Sequence, residues 1–274
     1  VIVLDKPEAE YHADRSTLSS TGAKTLLHSP QQYRHELDEP MEPTPAMVRG
    51  TLTHALVLGT TTDLFTVKDW DGRTKEGRAA AAYARGRGHL VIDRAEWDLA
   101  RTMAEAVHRN ALARELLSEG VAEASLYGED PATGVAMRGR IDWWRNDNVI
   151  VDLKTAAECH PDQLPKIIAQ RQYHLQAAWY ADLAALNGRP LKEYWFVFVR
   201  SSAPHQVTVK RLGERALEAG RRLAERARVI FRDCTDAEEL FGPHAWPAWG
   251  TPDDGEPIEL PRWALTEAEE LAWL

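Results

Sequence analysis

The chain has 274 residues, 44% hydrophobic and 27% charged, which is enough apolar material for a sizeable core in one elaborated domain. Its formal net charge of -9 argues against a protein that coats nucleic acid by bulk attraction, while leaving room for a local basic groove or an acidic metal site. No apolar run approaches a membrane span, the opening VIVLDKPEAEY lacks a basic-then-apolar signal layout, and Cys159 and Cys234 are too few for a disulfide framework, a zinc site or an iron–sulfur cluster; a cytoplasmic protein with reduced thiols is expected.

Residues 11 to 38 hold two short helical segments. Ser19, Ser20 and Thr21 can cap the first, with Ala23, Leu26 and Leu27 as its apolar stripe, and Ser29-Pro30 starts the second in the N-cap and N1 roles. Tyr33, Arg34 and His35 on the second read as a polar surface with Tyr33 turned inward. After the proline-broken MEPTPAMVRG, helical spacing resumes from Ala46 to Leu58, where Val48, Leu52, Ala55, Leu56 and Leu58 form the buried side and His54 is the unusual residue. A lone histidine on a helix is most often a surface or hydrogen-bonded core residue. Residues 68 to 88 are locally basic through Lys75, Arg78, Arg85 and Arg87, and their alanines predict a helix from about Thr74 to Ala84. A solvated helix and a basic arm on a phosphate backbone are both compatible with that composition. A short strand at His89 to Asp93 and a helix from Arg94 to Leu117 follow.

From residue 121 the pattern changes to strands: Val121 to Gly128, Val135 to Trp144 and Val149 to Lys154. In the last, Val149, Val151 and Leu153 alternate with Ile150, Asp152 and Lys154, so Asp152 and Lys154 share a face. Asn146-Asp147-Asn148 supplies turn chemistry for a hairpin that carries Asp142 beside them. Two carboxylates and a lysine on one patch offer oxygens to a hard cation and an ammonium to a phosphate or an attacking water. D-x-K alone recurs by accident, often as a solvated pair; the apolar strand it ends and the acid before it set this instance apart. A long helix is predicted over Pro161 to Leu186, strands over Leu191 to Arg200 and Gln206 to Lys210, and a helix over Glu214 to Phe231. Strands with a helix crossing between them predict a mixed sheet in an α/β arrangement. The tail from Gly242 sets Trp246, Trp249, Trp263 and Trp273 among Asp253, Asp254, Glu256 and Glu267; it is expected to pack on its own domain, with a partner interface as the alternative.

The sequence resembles the PD-(D/E)xK nuclease superfamily, and more closely its RecE-like branch, the exodeoxyribonuclease VIII type. The matching stretches are RGTLTHALVLG around His54, AEASLYGE around Glu123, GRIDWW around Asp142, VDLKT around Asp152 and Lys154, and YHLQAAWYADL on the helix that follows, together spanning most of residues 16 to 200. The resemblance implies an α/β, restriction-endonuclease-like PD-(D/E)xK core, a central mixed β-sheet flanked by helices, with an N-terminal helical elaboration. Within one nuclease domain over 1–274, it implies a mainly helical part over 1–120, the nuclease core over 121–232 and a Trp-rich acidic tail over 233–274. Asp142 and Asp152 would be the main carboxylate ligands of one or two Mg2+ or Mn2+ ions, with the backbone carbonyl of Leu153 as a further ligand. His54 would join the metal shell, and Glu123 would reach it directly or through water. Lys154 would position or help activate the hydrolytic water, while Gln176 and Tyr180, four residues apart on one helix face, would steady the site or contact DNA. Asp152 stands where much of the superfamily has glutamate, a shortening also found in the RecE and RecB branches, and the cysteine quartet of the iron–sulfur relatives is absent.

The activity implied is that of a Mg2+-dependent exonuclease on the ends of linear double-stranded DNA. It would run 5′ to 3′ and leave 3′ single-stranded tails for a single-strand annealing recombinase, from a ring-like homo-oligomer such as a tetramer, with no membrane partner. An endonuclease or end-trimming nuclease in repair or defence is the alternative activity. A catalytically lapsed DNA-binding or assembly protein is the alternative of another class, and intact Asp142, Asp152 and Lys154 argue against it. An ordinary metabolic enzyme finds no phosphate-cradling glycine loop or hydrolase nucleophile motif here.

Overall fold

The computed structural model describes residues 1–4, 6–39 and 41–249. The chain begins with β1 (Ile2–Val3), α1 (Glu8–Ala13), β2 (Leu18–Ser19), α2 (Ser20–His28), α3 (Pro30–Asp38) and α4 (Pro45–Leu58). It continues through β3 (Phe65–Lys68), α5 (Lys75–Gly86), β4 (Leu90–Asp93), α6 (Arg94–Arg109) and α7 (Ala111–Leu116). The strand-rich part is β5 (Gly120–Glu129), β6 (Ala136–Arg145), β7 (Val149–Ala156), α8 (Leu164–Gln170), α9 (Tyr173–Leu186), β8 (Glu193–Arg200) and β9 (Val207–Arg211), and α10 (Glu214–Phe241) closes it. Side-chain oxygens of Ser19, Ser29, Thr44 and Thr74 accept the first free amide hydrogens of α2, α3, α4 and α5, as capping chemistry predicts. No helix among the described residues is long and apolar enough to cross a membrane.

Three helices depart from the sequence pattern. The run expected as one helix over Arg94 to Leu117 breaks at Asn110, whose backbone is extended and whose Oδ1 caps α7 by accepting the Ala113 amide at 3.0 Å. The run over Pro161 to Leu186 is also two helices, because Gln172 adopts a left-handed backbone (φ 49°) at the joint between α8 and α9. The last helix runs beyond Phe231 to Phe241. There Glu238 accepts from the Trp246 indole at 2.6 Å and from Arg34 at 3.1 Å, ties between distant segments that local propensity does not encode. Tyr33 does turn inward, against Phe231 and Trp246. Trp246 is buried and Trp249 meets His28 edge-on, whereas Trp263, Trp273, Asp253, Asp254, Glu256 and Glu267 lie outside the described residues.

The main sheet is seven-stranded and mixed, ordered β1-β5-β6-β7-β8-β9, with β2 joining β6 in parallel. β7 and β8 are parallel and α8 and α9 form the crossover between them; the other neighbours along the path are antiparallel. On one face Ile150, Trp144, Phe196 and Phe198 pack with α2, α9 and α10. On the other, Val149, Val151, Leu153, Val197 and Val199 pack with α4, α6 and α7. β3 and β4 form a separate two-stranded parallel sheet, where Ile92 joins Val48 and Leu52 of α4 and Ala100 of α6. Both cysteines are free and buried.

One edge of β6 is shared. β2 pairs with it at Met137 and Arg138, and β7 pairs with it only at Trp143 and Trp144. The four residues between, Gly139 to Asp142, face an opening in the sheet. α9 approaches β6 closely there: a Cβ on Gly139 would stand 2.9 Å from the Tyr180 ring, so the approach depends on glycine. The Trp179 indole fixes the same approach by donating to the Arg138 carbonyl at 2.9 Å.

Candidate active site

The opening coincides with an inversion of both strands beside it. β5 and β6 pair at Ala122 with Trp143 and at Ala124 with Ile141, and the ladder skips Glu123 and Asp142 between them. Strict alternation would point Ala122 and Ala124 the same way. Ala122 and Trp143 instead pack on the α4 and α6 side, and Ala124 and Ile141 on the α9 side. Glu123 absorbs the inversion with a left-handed backbone, φ 53°. Such a conformation costs a non-glycine residue on the order of 1–2 kcal/mol and is concentrated at functional sites.

Asp142 and Glu123 therefore emerge at one joint, and α4 brings His54 to it. At Gly50, one turn before His54, α4 passes β7 at ordinary van der Waals distance: an added Cβ would stand 3.4 Å from Thr155 Oγ1. His54 Nδ1 lies 3.5 Å from Asp142 Oδ2, and the same oxygen accepts the Leu153 amide hydrogen at 2.8 Å. Glu123 lies 3.9 Å from the Arg140 guanidinium. One donor atom from each of His54, Glu123 and Asp142 falls within 4.8 Å of the others. Two ligands on one divalent ion, each about 2.0–2.5 Å from it, are at most about 4–5 Å apart. An imidazole nitrogen with carboxylate oxygens is a donor set that divalent metals accept, so these residues fit an ion.

Asp152 sits beside Asp142 across the β6–β7 hairpin, where its neighbour Leu153 donates its amide hydrogen to Asp142 Oδ2. It is fully buried and stands outside the His54–Glu123–Asp142 group. Its Oδ2 pairs with Lys154 Nζ at 2.6 Å, and its Oδ1 accepts from Gln176 Nε2 at 2.9 Å. The period-two face expected for Asp152 and Lys154 is thus present, with the pair turned toward α9. Burial pushes the Asp152 carboxyl above the usual carboxylate range, the Lys154 ammonium pulling the other way and Asp142 adding to the push. Burial also works against the Lys154 charge, but the Asp152 and Asp142 carboxylates outweigh it and hold Lys154 above the usual lysine range. Lys154 lies over the Tyr173 ring at 4.9 Å. Gln176 also donates to the Tyr180 hydroxyl at 3.3 Å, which burial keeps far above the ordinary tyrosine pKa.

A cleft of about 1190 Å³ opens onto His54, Glu123 and Asp142 and is also lined by Arg15, Arg138 and Arg140. Arg138 and Arg140 lie over the Tyr11 ring at 5.3 and 4.6 Å, and they reach Thr17 and Ser125. Neither arginine belongs to the candidate site residues that the sequence marks. A signal was present: two arginines alternate with Met137, Gly139 and Ile141, on the face opposite the core. Lys24 was also passed over, lying beside the apolar stripe of α2; its ammonium donates to Gln176 Oε1 at 3.2 Å. Lys75, Arg78, Arg85 and Arg87, the basic residues that sequence pattern did single out, are exposed on and just after α5, and none of them lines this cleft.

A family model described as a PDDEXK-like domain of unknown function (DUF3799) matches residues 19–239. No curated protein matches the chain. Among solved structures, the chain is similar to a protein from Eubacterium rectale named "Putative exonuclease", with 13% identity, a TM-score of 0.61 and coverage of 97% of this chain and 98% of that one. A crystal structure of SSO0001 aligns over 87% of this chain and 97% of that one, at 14% identity and a TM-score of 0.37.

Proposed function

Since the chain belongs to the family of PDDEXK-like domains of unknown function (DUF3799), and with it to the PD-(D/E)xK nuclease superfamily, we propose that it is a Mg2+- or Mn2+-dependent DNA exonuclease of RecE-like type. Its substrate on this reading is the end of linear double-stranded DNA, degraded 5′ to 3′ to leave 3′ single strands for an annealing recombinase. Its working form is a ring-like homo-oligomer. The observation that carries the reading is the His54–Glu123–Asp142 group set beside the buried Asp152–Lys154 pair at one opening in the sheet.

A phosphodiester resists hydrolysis because its own charge repels the nucleophile; a bound divalent ion supplies a lowered water pKa and neutralises charge developing on phosphorus. His54, Glu123 and Asp142 would hold the ion, with Asp152 and the Leu153 carbonyl as further ligands. Lys154 remains a cation, since the neighbouring carboxylates raise its pKa. Its role is accordingly to hold the water by hydrogen bond and to oppose negative charge in the transition state, rather than to remove a proton. Gln176 keeps Asp152 in one rotamer, and Tyr180 braces Gln176. Arg138 and Arg140 face the cleft where DNA phosphates would run.

Digestion of a linear duplex labelled at its 5′ or 3′ end, beside a closed circle, tests the reading. Early release of the 5′ label with an intact circle is expected in Mg2+ or Mn2+. Equal cutting of the circle would overturn the exonuclease assignment, and no hydrolysis with either ion would overturn the nuclease.

A further inference from the structure

We propose that Lys24 is a positioning residue of this site: it fixes the orientation of the Gln176 amide and, through that amide, the rotamer of Asp152. The proposal rests on the nuclease reading above. Gln176 stands between two partners of opposite character. Lys24 Nζ donates to its Oε1 at 3.2 Å, and its Nε2 donates to Asp152 Oδ1 at 2.9 Å. A glutamine amide can turn end for end, exchanging its donor and acceptor. An ammonium has only donors and an ionised carboxylate only acceptors, so a single orientation satisfies both neighbours. Without Lys24 the Oε1 end of Gln176 loses its donor, and only the contacts of Nε2 with Asp152 and Tyr180 hold the amide in place.

The placement of Lys24 is otherwise unfavourable for a cation. Burial, and then the Lys154 ammonium, push its pKa down to about 7, with Asp152 as the opposing pull, so Lys24 selects the amide orientation only while it is protonated, below about pH 7. Lys24 and Lys154 lie over the same Tyr173 ring, at 5.2 and 4.9 Å. A methionine would fill the same volume without the desolvation cost, so the contribution of Lys24 is directional rather than stabilising. It belongs to α2 and reaches across to α9, so the two helices meet at the carboxylate that both position.

The test is a double-mutant cycle with Lys24→Met and Gln176→Ala, read by Mn2+ affinity in calorimetry, by the single-turnover rate on a 5′-labelled linear duplex and by melting temperature. Lys24→Met is expected to slow cleavage about tenfold, the scale of one charge-assisted hydrogen bond, and to weaken Mn2+ binding severalfold, without lowering the melting temperature. In the Gln176→Ala background it should cost nothing further, because the amide through which it acts is gone. Multiplying defects would overturn the proposal, as would a Lys24→Met protein that binds and cleaves like the wild type. If Lys24→Met fails to fold, Lys24→Gln replaces it with the same expectation, since a second amide can donate or accept and no longer selects one orientation. A wild-type protein that neither binds Mn2+ nor cleaves would instead sink the nuclease reading.

Discussion

Asp142 closes the gap where β6 and β7 part, by accepting the Leu153 amide hydrogen, and it offers the same carboxylate to the group formed with His54 and Glu123. Its replacement therefore has two consequences. Asp142→Ala should abolish cleavage and also cost about 1–3 kcal/mol of stability, because a part-buried amide loses its acceptor. Asp152→Ala and Lys154→Ala should abolish cleavage as well. Each leaves one member of a buried ion pair uncompensated, so each should melt below the wild type while keeping its far-ultraviolet circular dichroism. Wild-type-like rates in all three variants would sink the assigned site. At this scale the D-x-K pair was legible because a strand alternates with a period of two. The left-handed backbone that brings Glu123 to the joint was not, since glutamate is a residue type that gives no warning of a positive φ.

Among the elements, α9 links fold to site most directly. It is buried on nearly all sides between the sheet and α10, which is why its sequence, YHLQAAWYADLAAL, shows almost no polar face. The packing against α10 is close: a Cβ on Gly220 would stand 2.0 Å from the His174 carbonyl oxygen. Gly220→Ala must force the two helices apart two residues from Gln176. A loss of roughly 2–4 kcal/mol in denaturant unfolding is expected, with a cleavage defect larger than the fraction unfolded explains. A wild-type midpoint would show that α10 can withdraw without cost. Helix starts were readable from Ser19 and Ser29, because a cap is a local hydrogen bond, and near Thr74 from the alanines that follow it. The breaks at Asn110 and Gln172 and the extension of α10 to Phe241 were not, because non-local packing and hydrogen bonds select them.

For the whole molecule, a net charge of -9 means that, on the proposed function, attraction to DNA must come from local basic surfaces. Two such groups are Arg15, Arg138 and Arg140 in the cleft, and Lys75, Arg78, Arg85 and Arg87 at α5, which does not reach it. If α5 is a second contact on a long duplex, neutralising those four residues should weaken binding and lower the slope of log K against log salt by about 2–4, while cleavage of a short duplex is unchanged. An unchanged slope would make α5 a solvated helix. The sequence by itself determined the α/β order, most strands, several helix starts and the shared face of Asp152 and Lys154, because each is written in local periodicity or a short motif, whereas His54 and Glu123 were marked as site residues only by the family resemblance. Tertiary structure alone decided that Glu123 and Asp142 share a joint with His54, that Asp152 turns toward Gln176, and that Lys24, Arg138 and Arg140 surround them. Those relations are set where β2 and β7 divide one edge of β6, and the division arises from packing between segments more than a hundred residues apart.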